Sequence, residues 1–258
     1  MQSLSRNQSA TGFTGPLSRA TGARTEAFRI EQKPEHRLVA LDDDRSIGAE
    51  KFCMLGHRLK LQRKLRKLRS VSVTSSIVDE GKSLISANLA ITMARHGRER
   101  ILLIDGDVQR GRLSTVLNSP PSEGLAGWHR TGGTIEQLTR QVQGLPLWFL
   151  PTGARAADTH FCLKPDRVKA LLEIGEEMFD WVIVECPPVT VVADALIWAA
   201  ASDGTLLVVR QGATPKRMLK KALACLEESK LLGAVLNDCE DAAQSYYSQY
   251  YLKRAPKR

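Results

Sequence analysis

The chain has 258 residues, 43% of them hydrophobic, which supports a sizeable globular core and argues against wholesale disorder. Its formal charge of +9 admits nucleic acid, an anionic membrane leaflet or a phosphorylated ligand, but aromatics are only 5% and do not alternate with basic residues, which disfavours a base-stacking surface. No apolar run approaches the roughly 18 residues of a membrane-spanning helix, the polar start MQSLSRNQSATGFTGPLSR lacks a signal-peptide core, and Cys53, Cys162, Cys186, Cys225 and Cys239 form no CxxC or metal-ligand spacing; together these predict a cytoplasmic protein with reduced thiols.

Residues 1–44 are rich in Ser, Thr, Gly, Arg and Pro, lack an apolar period and end in Asp42-Asp43-Asp44. They predict a flexible N-terminal tail before a single domain over 45–240. Ile47 to Leu68 has a helical pattern, with Phe52, Leu55, Leu59, Leu65 and Leu68 roughly on one side. Its second half, Arg58 to Arg69, is strongly basic, and a solvated face on a docked helix is favoured over contact with a membrane surface. From residue 70 short apolar strands alternate with helical stretches. Val71–Thr74 leads through a loop into a helix over Lys82–Arg95, which Gly97 is expected to close in the left-handed conformation. Further strands are predicted at Ile101–Ile104, Leu147–Leu150, Trp181–Glu185, Thr205–Val209 and Ala234–Asn237, with helices at Pro165–Met178, Ala193–Ala201 and Pro215–Ser229. Thr214 is placed to cap the last helix, and Pro215 suits its first position. Continuous apolar strands with helical crossovers predict an α/β fold, a mostly parallel sheet covered by helices on both faces. Ligands of such sheets bind at the carboxyl ends of the strands. Residues 241–258 form a basic tail that holds all four tyrosines of the chain.

Three segments carry chemistry to that edge. The first is Thr74-Ser75-Ser76-Ile77-Val78-Asp79-Glu80-Gly81-Lys82-Ser83, between a strand and a helix. A loop ending in Gly-Lys-Ser turns backbone N–H groups and the helix N-terminus toward phosphates, with Lys82 reaching the β and γ oxygens and Ser83 able to ligate Mg²⁺. Ser76 stands where the G-x-x-x-x-G-K-[ST] pattern has its first Gly. The second is Ile101-Leu102-Leu103-Ile104-Asp105-Gly106-Asp107. One aspartate there would serve as a turn cap, but two beside a phosphate loop fit cation coordination and acceptance of a proton. The third is Trp181-Val182-Ile183-Val184-Glu185-Cys186-Pro187-Pro188, which delivers an acid suited to holding a metal-bound water. No G-x-G-x-x-G follows the first strand, so a nicotinamide site is excluded. In the tail, Tyr246, Tyr247, Tyr250 and Tyr251 are accessible to a neighbouring active site, and each phosphate would add up to about −2 charge. Packing on the domain edge or on a partner is the alternative for these rings.

The three segments resemble the Walker A, A′ and B motifs of the bacterial tyrosine kinases of the capsular exopolysaccharide family, relatives of the ParA/MinD ATPases. The resemblance runs from about Glu50 to the C-terminus. It takes in Ser86-Ala87-Asn88-Leu89-Ala90, Arg110, Pro187-Pro188, Asp194, Leu206–Arg210, Lys230–Asn237 and Tyr246-Tyr247-Ser248-Gln249-Tyr250-Tyr251. Ile77 lies where ParA/MinD proteins carry a signature lysine, which favours the kinase branch. The resemblance implies a P-loop NTPase fold and a tyrosine autokinase using ATP and Mg²⁺, with Lys82, Asp105, Asp107 and Glu185 catalytic. It implies nucleotide binding by Ser76, Asp79, Glu80, Gly81, Lys82, Ser83, Leu84, Arg210 and Asn237, the last against adenine. Ser83, Asp105 and Glu185 would sit at the metal, and the four tail tyrosines would accept phosphate. It further implies a membrane activator of the chain-length-determinant type, a homo-oligomer for trans-phosphorylation, a tyrosine phosphatase, and recruitment to the inner face of the plasma membrane. No nucleic-acid partner is expected.

The chain departs from the family pattern at named positions. The family's loop reads Pro-Gly-Glu-Gly-Lys-Ser, whereas Asp79 here replaces a Gly, which restricts the backbone and sets a carboxylate near a polyanion. Leu84 replaces a Thr and Glu185 an Asp. The assembly helix that begins at Glu50 has Cys53 and Gly56 where the family has arginines. Two other readings stay open: a nucleotide-sensing scaffold that transfers little phosphate, and a ParA/MinD-like ATPase with water as acceptor.

Overall fold

The apolar runs become the strands of one sheet, and the carboxylate-bearing ones lie at its centre. The computed structural model describes residues 27–31, 33–41, 46–97, 99–131, 134–153 and 163–239. In chain order the elements are β1 (Ala27–Phe28), α1 (Ile47–Leu65), β2 (Ser70–Ser75), α2 (Lys82–Gly97), β3 (Ile101–Asp105), α3 (Arg112–Val116), α4 (Gly124–Thr131), α5 (Ile135–Leu138) and β4 (Arg140–Val142). They continue with β5 (Leu147–Leu150), α6 (Pro165–Met178), β6 (Trp181–Glu185), α7 (Asp194–Ala201), β7 (Gly204–Arg210), α8 (Lys216–Cys225) and β8 (Leu231–Asn237). The sheet order is β1-β4-β5-β3-β6-β2-β7-β8, and every pairing is parallel except β4 with β5.

Alternation along β3 shows why helices cover both faces. Ile101 and Leu103 join a cluster with Leu59 of α1 and Ala87, Leu89 and Ile91 of α2, while Leu102 and Ile104 join Leu171 and Leu172 of α6 and Trp198 of α7. Every residue of β3 and β6 is buried. Each such aliphatic side chain contributes about 1.5–3 kcal/mol by burial, so neither face tolerates a polar residue without a partner. A third cluster sets Ala222 and Leu226 of the α8 region against Leu207 of β7. The fold is the predicted α/β one.

Several local expectations are corrected. Residues of the segment 27–41, before residue 44, already pack on the domain: β1 pairs with β4, the Phe28 and Phe149 ring centroids lie 6.4 Å apart, Leu38 and Ala40 are buried, and the Ala40 N–H donates to Asn88 at 2.9 Å. These contacts come from sequence-distant partners, so no local period announces them. Gly97 is the last residue of α2 and is not left-handed; the Lys60–Glu99 ion pair, at 2.6 Å, fills the space where a Cβ would project. Leu65, expected on the packed side, is 81% exposed because α1 ends there and Arg66 turns to extended backbone.

The basic run of α1 and the residues after it docks onto the domain. Arg63 donates to the Asp180 carbonyl at 3.0 Å and lies over Trp181, Arg66 donates to the Ser229 carbonyl at 2.9 Å, and Lys67 pairs with Glu176 at 2.8 Å. No helix among the described residues is long and apolar enough to cross a membrane.

Candidate active site

Three neighbouring strands bring the predicted chemistry together. β6 lies between β2 and β3, and its last residue, Glu185, is in register with Asp105 and with Val73. The Gly106 N–H after β3 donates to the Glu185 carbonyl at 2.8 Å, and the Gly106 carbonyl accepts from the Trp198 indole at 3.2 Å. A Cβ at Gly106 would come within 2.8 Å of that Glu185 carbonyl oxygen, so the aspartate pair requires glycine between its members.

The phosphate loop is held by Glu80 within it and by polar side chains that reach it from other parts of the chain. Glu80 is 1% exposed; one carboxylate oxygen accepts the Ile77 N–H at 2.8 Å and the other accepts the Thr214 hydroxyl. Thr214 therefore does not cap α8, whose cap position is Pro215; its hydroxyl also accepts the Arg210 N–H at 3.0 Å. Thr190 donates to the Ser76 carbonyl at 2.6 Å, and Asn237 donates to the Glu80 carbonyl at 2.9 Å. Gly81 has φ 92, which suits glycine, and Asp79 has φ 62, which aspartate tolerates better than bulky residues do. The Asp79 carboxylate meets Arg112 at 2.5 Å and Arg110 at 3.7 Å.

Lys82 opens α2 with its ammonium 2.7 Å from Glu185 and 3.3 Å from Asp107, and the Ser83 hydroxyl donates to the same Glu185 oxygen at 2.9 Å. Burial disfavours the Lys82 charge, but Glu185 and Asp107 outweigh it and hold its pKa above the usual lysine value. At Glu185 burial prevails over the attraction of Lys82 and raises the pKa. Asp105 is fully buried, and burial, followed by the charges of Glu185 and Asp107, pushes its pKa well above the ordinary 3.8.

Two carboxylates, Glu185 and Asp107, thus share one ammonium, and Asp105 lies beside them without it. Both Asp105 oxygens and the second Glu185 oxygen have no hydrogen-bond partner among the described residues. Such acceptor oxygens beside a serine hydroxyl fit Mg²⁺, which takes one or two carboxylates and completes its shell with phosphate oxygens and water. Among the described residues no group of three or more His, Cys, Asp or Glu is arranged to hold a metal ion.

No protein-family model matches the chain. Over 221 residues it is 29% identical to the tyrosine-protein kinase YwqD of Bacillus subtilis, covering 85% of the chain and 93% of that relative. Over 183 residues it is 30% identical to the tyrosine-protein kinase CpsD of Streptococcus pneumoniae serotype 4, covering 70% of the chain and 80% of that relative. The chain belongs to the bacterial tyrosine kinase family. It also matches the succinoglycan biosynthesis transport protein ExoP of Rhizobium meliloti, 31% identical over 249 residues, but spans only 30% of that longer protein.

Among solved structures, the kinase domain of the Escherichia coli tyrosine kinase ETK aligns with a TM-score of 0.69 at 23% identity, covering 88% of each chain. The septum site-determining protein MinD of Pyrococcus horikoshii, complexed with Mg-ADP, aligns with a TM-score of 0.56 at 21% identity, covering 70% of this chain and 76% of that one. These two likenesses concern the fold, which is that of the kinase domains and of the MinD-type P-loop NTPases. Membership of a kinase family implies use of a nucleotide.

The other predicted residues of this kinase lie around the centre. Arg210 ends β7 and forks onto Asp238 at 2.9 and 2.7 Å. Asn237 ends β8 with its amide on the phosphate loop. Leu84 is half-buried in the first turn of α2, and Ser76 is buried with no hydrogen-bond partner for its hydroxyl among the described residues. Tyr246, Tyr247, Tyr250 and Tyr251 lie outside the described residues. Arg112, Thr190 and Trp198 escaped sequence reasoning. They are single residues outside any motif, and the only available hint was the place of Arg112 two positions after Arg110.

Proposed function

We propose that this kinase is an ATP- and Mg²⁺-dependent protein-tyrosine autokinase of a polysaccharide-synthesis or export system, with Tyr246, Tyr247, Tyr250 and Tyr251 as acceptors and residues 27–239 as its catalytic domain. The observation that carries it is Lys82 at the head of α2, bracketed by Glu185 at 2.7 Å and Asp107 at 3.3 Å. An ammonium so held beside a phosphate loop is set to exchange onto phosphate oxygens, where it offsets the charge that develops during transfer. The loop N–H groups and the α2 N-terminus orient the phosphates. Asp107 accepts the phenolic proton as the tyrosine oxygen bonds to the γ-phosphorus; the bond to the β,γ-bridging oxygen breaks, and ADP leaves with that electron pair. Ser83, Asp105 and Glu185 would hold the cation, which would supply neutralising charge to the phosphates.

A membrane activator of the chain-length-determinant type, recruitment to the inner membrane face, exchange of tails between copies and an opposing phosphatase belong to the same proposal. The likeness to a transport protein of succinoglycan biosynthesis supports the link to polysaccharide export. The contact of Asp79 with Arg112 favours a second reading, a nucleotide-binding scaffold with little transfer. Incubating the purified chain with γ-labelled ATP and Mg²⁺, with and without the activator's cytoplasmic segment, separates them. Label on tail peptides that Lys82→Ala abolishes supports the kinase. Tight nucleotide binding with an unlabelled tail supports the scaffold, and label indifferent to Lys82→Ala contradicts the site assignment.

A further inference from the structure

The phosphate loop carries a carboxylate that the transfer step does not use. Asp79 lies two residues before Gly81, its side chain 54% exposed and its backbone held at φ 62. Facing it are two arginines, one from the loop that also supplies Asp107 and one from the start of α3: the Arg112 guanidinium lies at 2.5 Å and that of Arg110 at 3.7 Å. The Arg110 N–H binds the Asp107 carbonyl at 3.1 Å and the Asp107 carboxylate at 3.2 Å, and Gly111, at φ 56, turns the chain between the two arginines. Both guanidiniums are thereby set on the side of the phosphate loop. The ion pair joins the two loops that carry Lys82 and Asp107, the groups between which nucleotide phosphates must settle. Arginine's planar fork suits carboxylate and phosphate oxygens alike.

We propose that Asp79 is an affinity-setting residue of the nucleotide site, an internal anion that occupies Arg112 and Arg110 and yields them only to the phosphates of an incoming nucleotide. The proposal rests on the kinase reading of this site. Asp79 opposes binding in two ways, by holding the arginines and by its own charge beside a polyanion. The nucleotide-free kinase therefore keeps its phosphate loop tied to the Asp107 loop.

The test is a calorimetric titration of the full chain with ADP and with ATP. Wild type is compared with Asp79→Asn, Arg112→Ala and the double variant, with thermal melts to verify folding. Asn remains tolerant of the left-handed conformation while losing the charge, so Asp79→Asn isolates the electrostatic role. It should bind both nucleotides about two- to fivefold tighter, the range that an exposed ion pair commands. In the Arg112→Ala background that gain should shrink, because the arginine released is part of it. Unchanged or weaker binding by Asp79→Asn overturns the proposal. So does a gain that persists undiminished without Arg112, since the carboxylate would then act by repulsion alone. If wild type and Asp79→Asn both fail to bind nucleotide, the kinase reading falls with it; wild-type binding without the gain leaves that reading intact.

Discussion

The centre and the rim of this site hold charges of the same kinds under opposite conditions. At the centre, Lys82, Asp107 and Glu185 have side chains 7%, 2% and 0% exposed, whereas at the rim Asp79, Arg110 and Arg112 are 54%, 40% and 54% exposed. A buried charge that loses its partner remains in a poorly solvated cavity and is strongly destabilising. An exposed one is taken up by water, and its pair is worth little. The centre is consequently fixed machinery that tolerates little change, and the rim is where affinity can be adjusted at little cost to the fold.

Substitutions can break that contrast, and the largest effect is expected at Lys82. Lys82→Ala leaves Glu185 and Asp107 without their cation, so it should lower stability by about 3 kcal/mol and cut phosphate transfer by at least about 10²-fold. Denaturant unfolding and a labelled-ATP assay read the two losses; an unchanged midpoint would mean that the centre relaxes like a rim. Gly106→Ala should come next. Its Cβ would press on the Glu185 carbonyl and the Trp198 indole, costing about 2 kcal/mol by overpacking and displacing Asp105 from Asp107, which a melt and the transfer assay would both register.

Asp105 gives the contrast a pH dependence. Its pKa in the folded protein is raised by burial above the ordinary 3.8, so the folded state binds the proton more tightly than the unfolded one. That contribution is complete below the unfolded pKa and is lost as pH rises through the folded one. Relative to wild type, Asp105→Asn should therefore become progressively more stable from about pH 4 upward and then level off. Chemical denaturation of the nucleotide-free protein across pH would show this, and a difference independent of pH would contradict it. A smaller loss, about 1 kcal/mol, is expected for Thr214→Val, which deprives buried Glu80 of a hydroxyl donor. The smallest belongs to the rim: Arg210→Ala breaks only the exposed pair with Asp238 and should shift stability by under about 0.5 kcal/mol.

The same contrast explains what could be read from the sequence. The centre was legible because β3 and β6 are apolar runs that each end in a carboxylate, and β2 leads into Gly-Lys-Ser, so these ends must meet at one edge once the sheet is parallel. Lys82, Asp105, Asp107 and Glu185 were accordingly found together. The edge strand β1 and its neighbour β4 were not legible. They have two and three residues, no period of their own, and pair only because β5 offers its side to β4. Thr214 looked like a cap because a threonine before Pro215 satisfies the local rule, yet the Glu80 carboxylate, 134 residues away, claimed its hydroxyl. The Asp79–Arg112 contact joins residues 33 apart across two loops. Such pairings are set by the fold and leave no spacing to detect.

The most direct test of the account is intact-mass analysis of the full chain after incubation with ATP and Mg²⁺, followed by peptide mapping. The account predicts phosphates confined to the peptide holding Tyr246, Tyr247, Tyr250 and Tyr251, and none on the Lys82→Ala protein. Phosphate on Lys82→Ala at the wild-type level, or none on the wild-type tail even with an activator present, would contradict it.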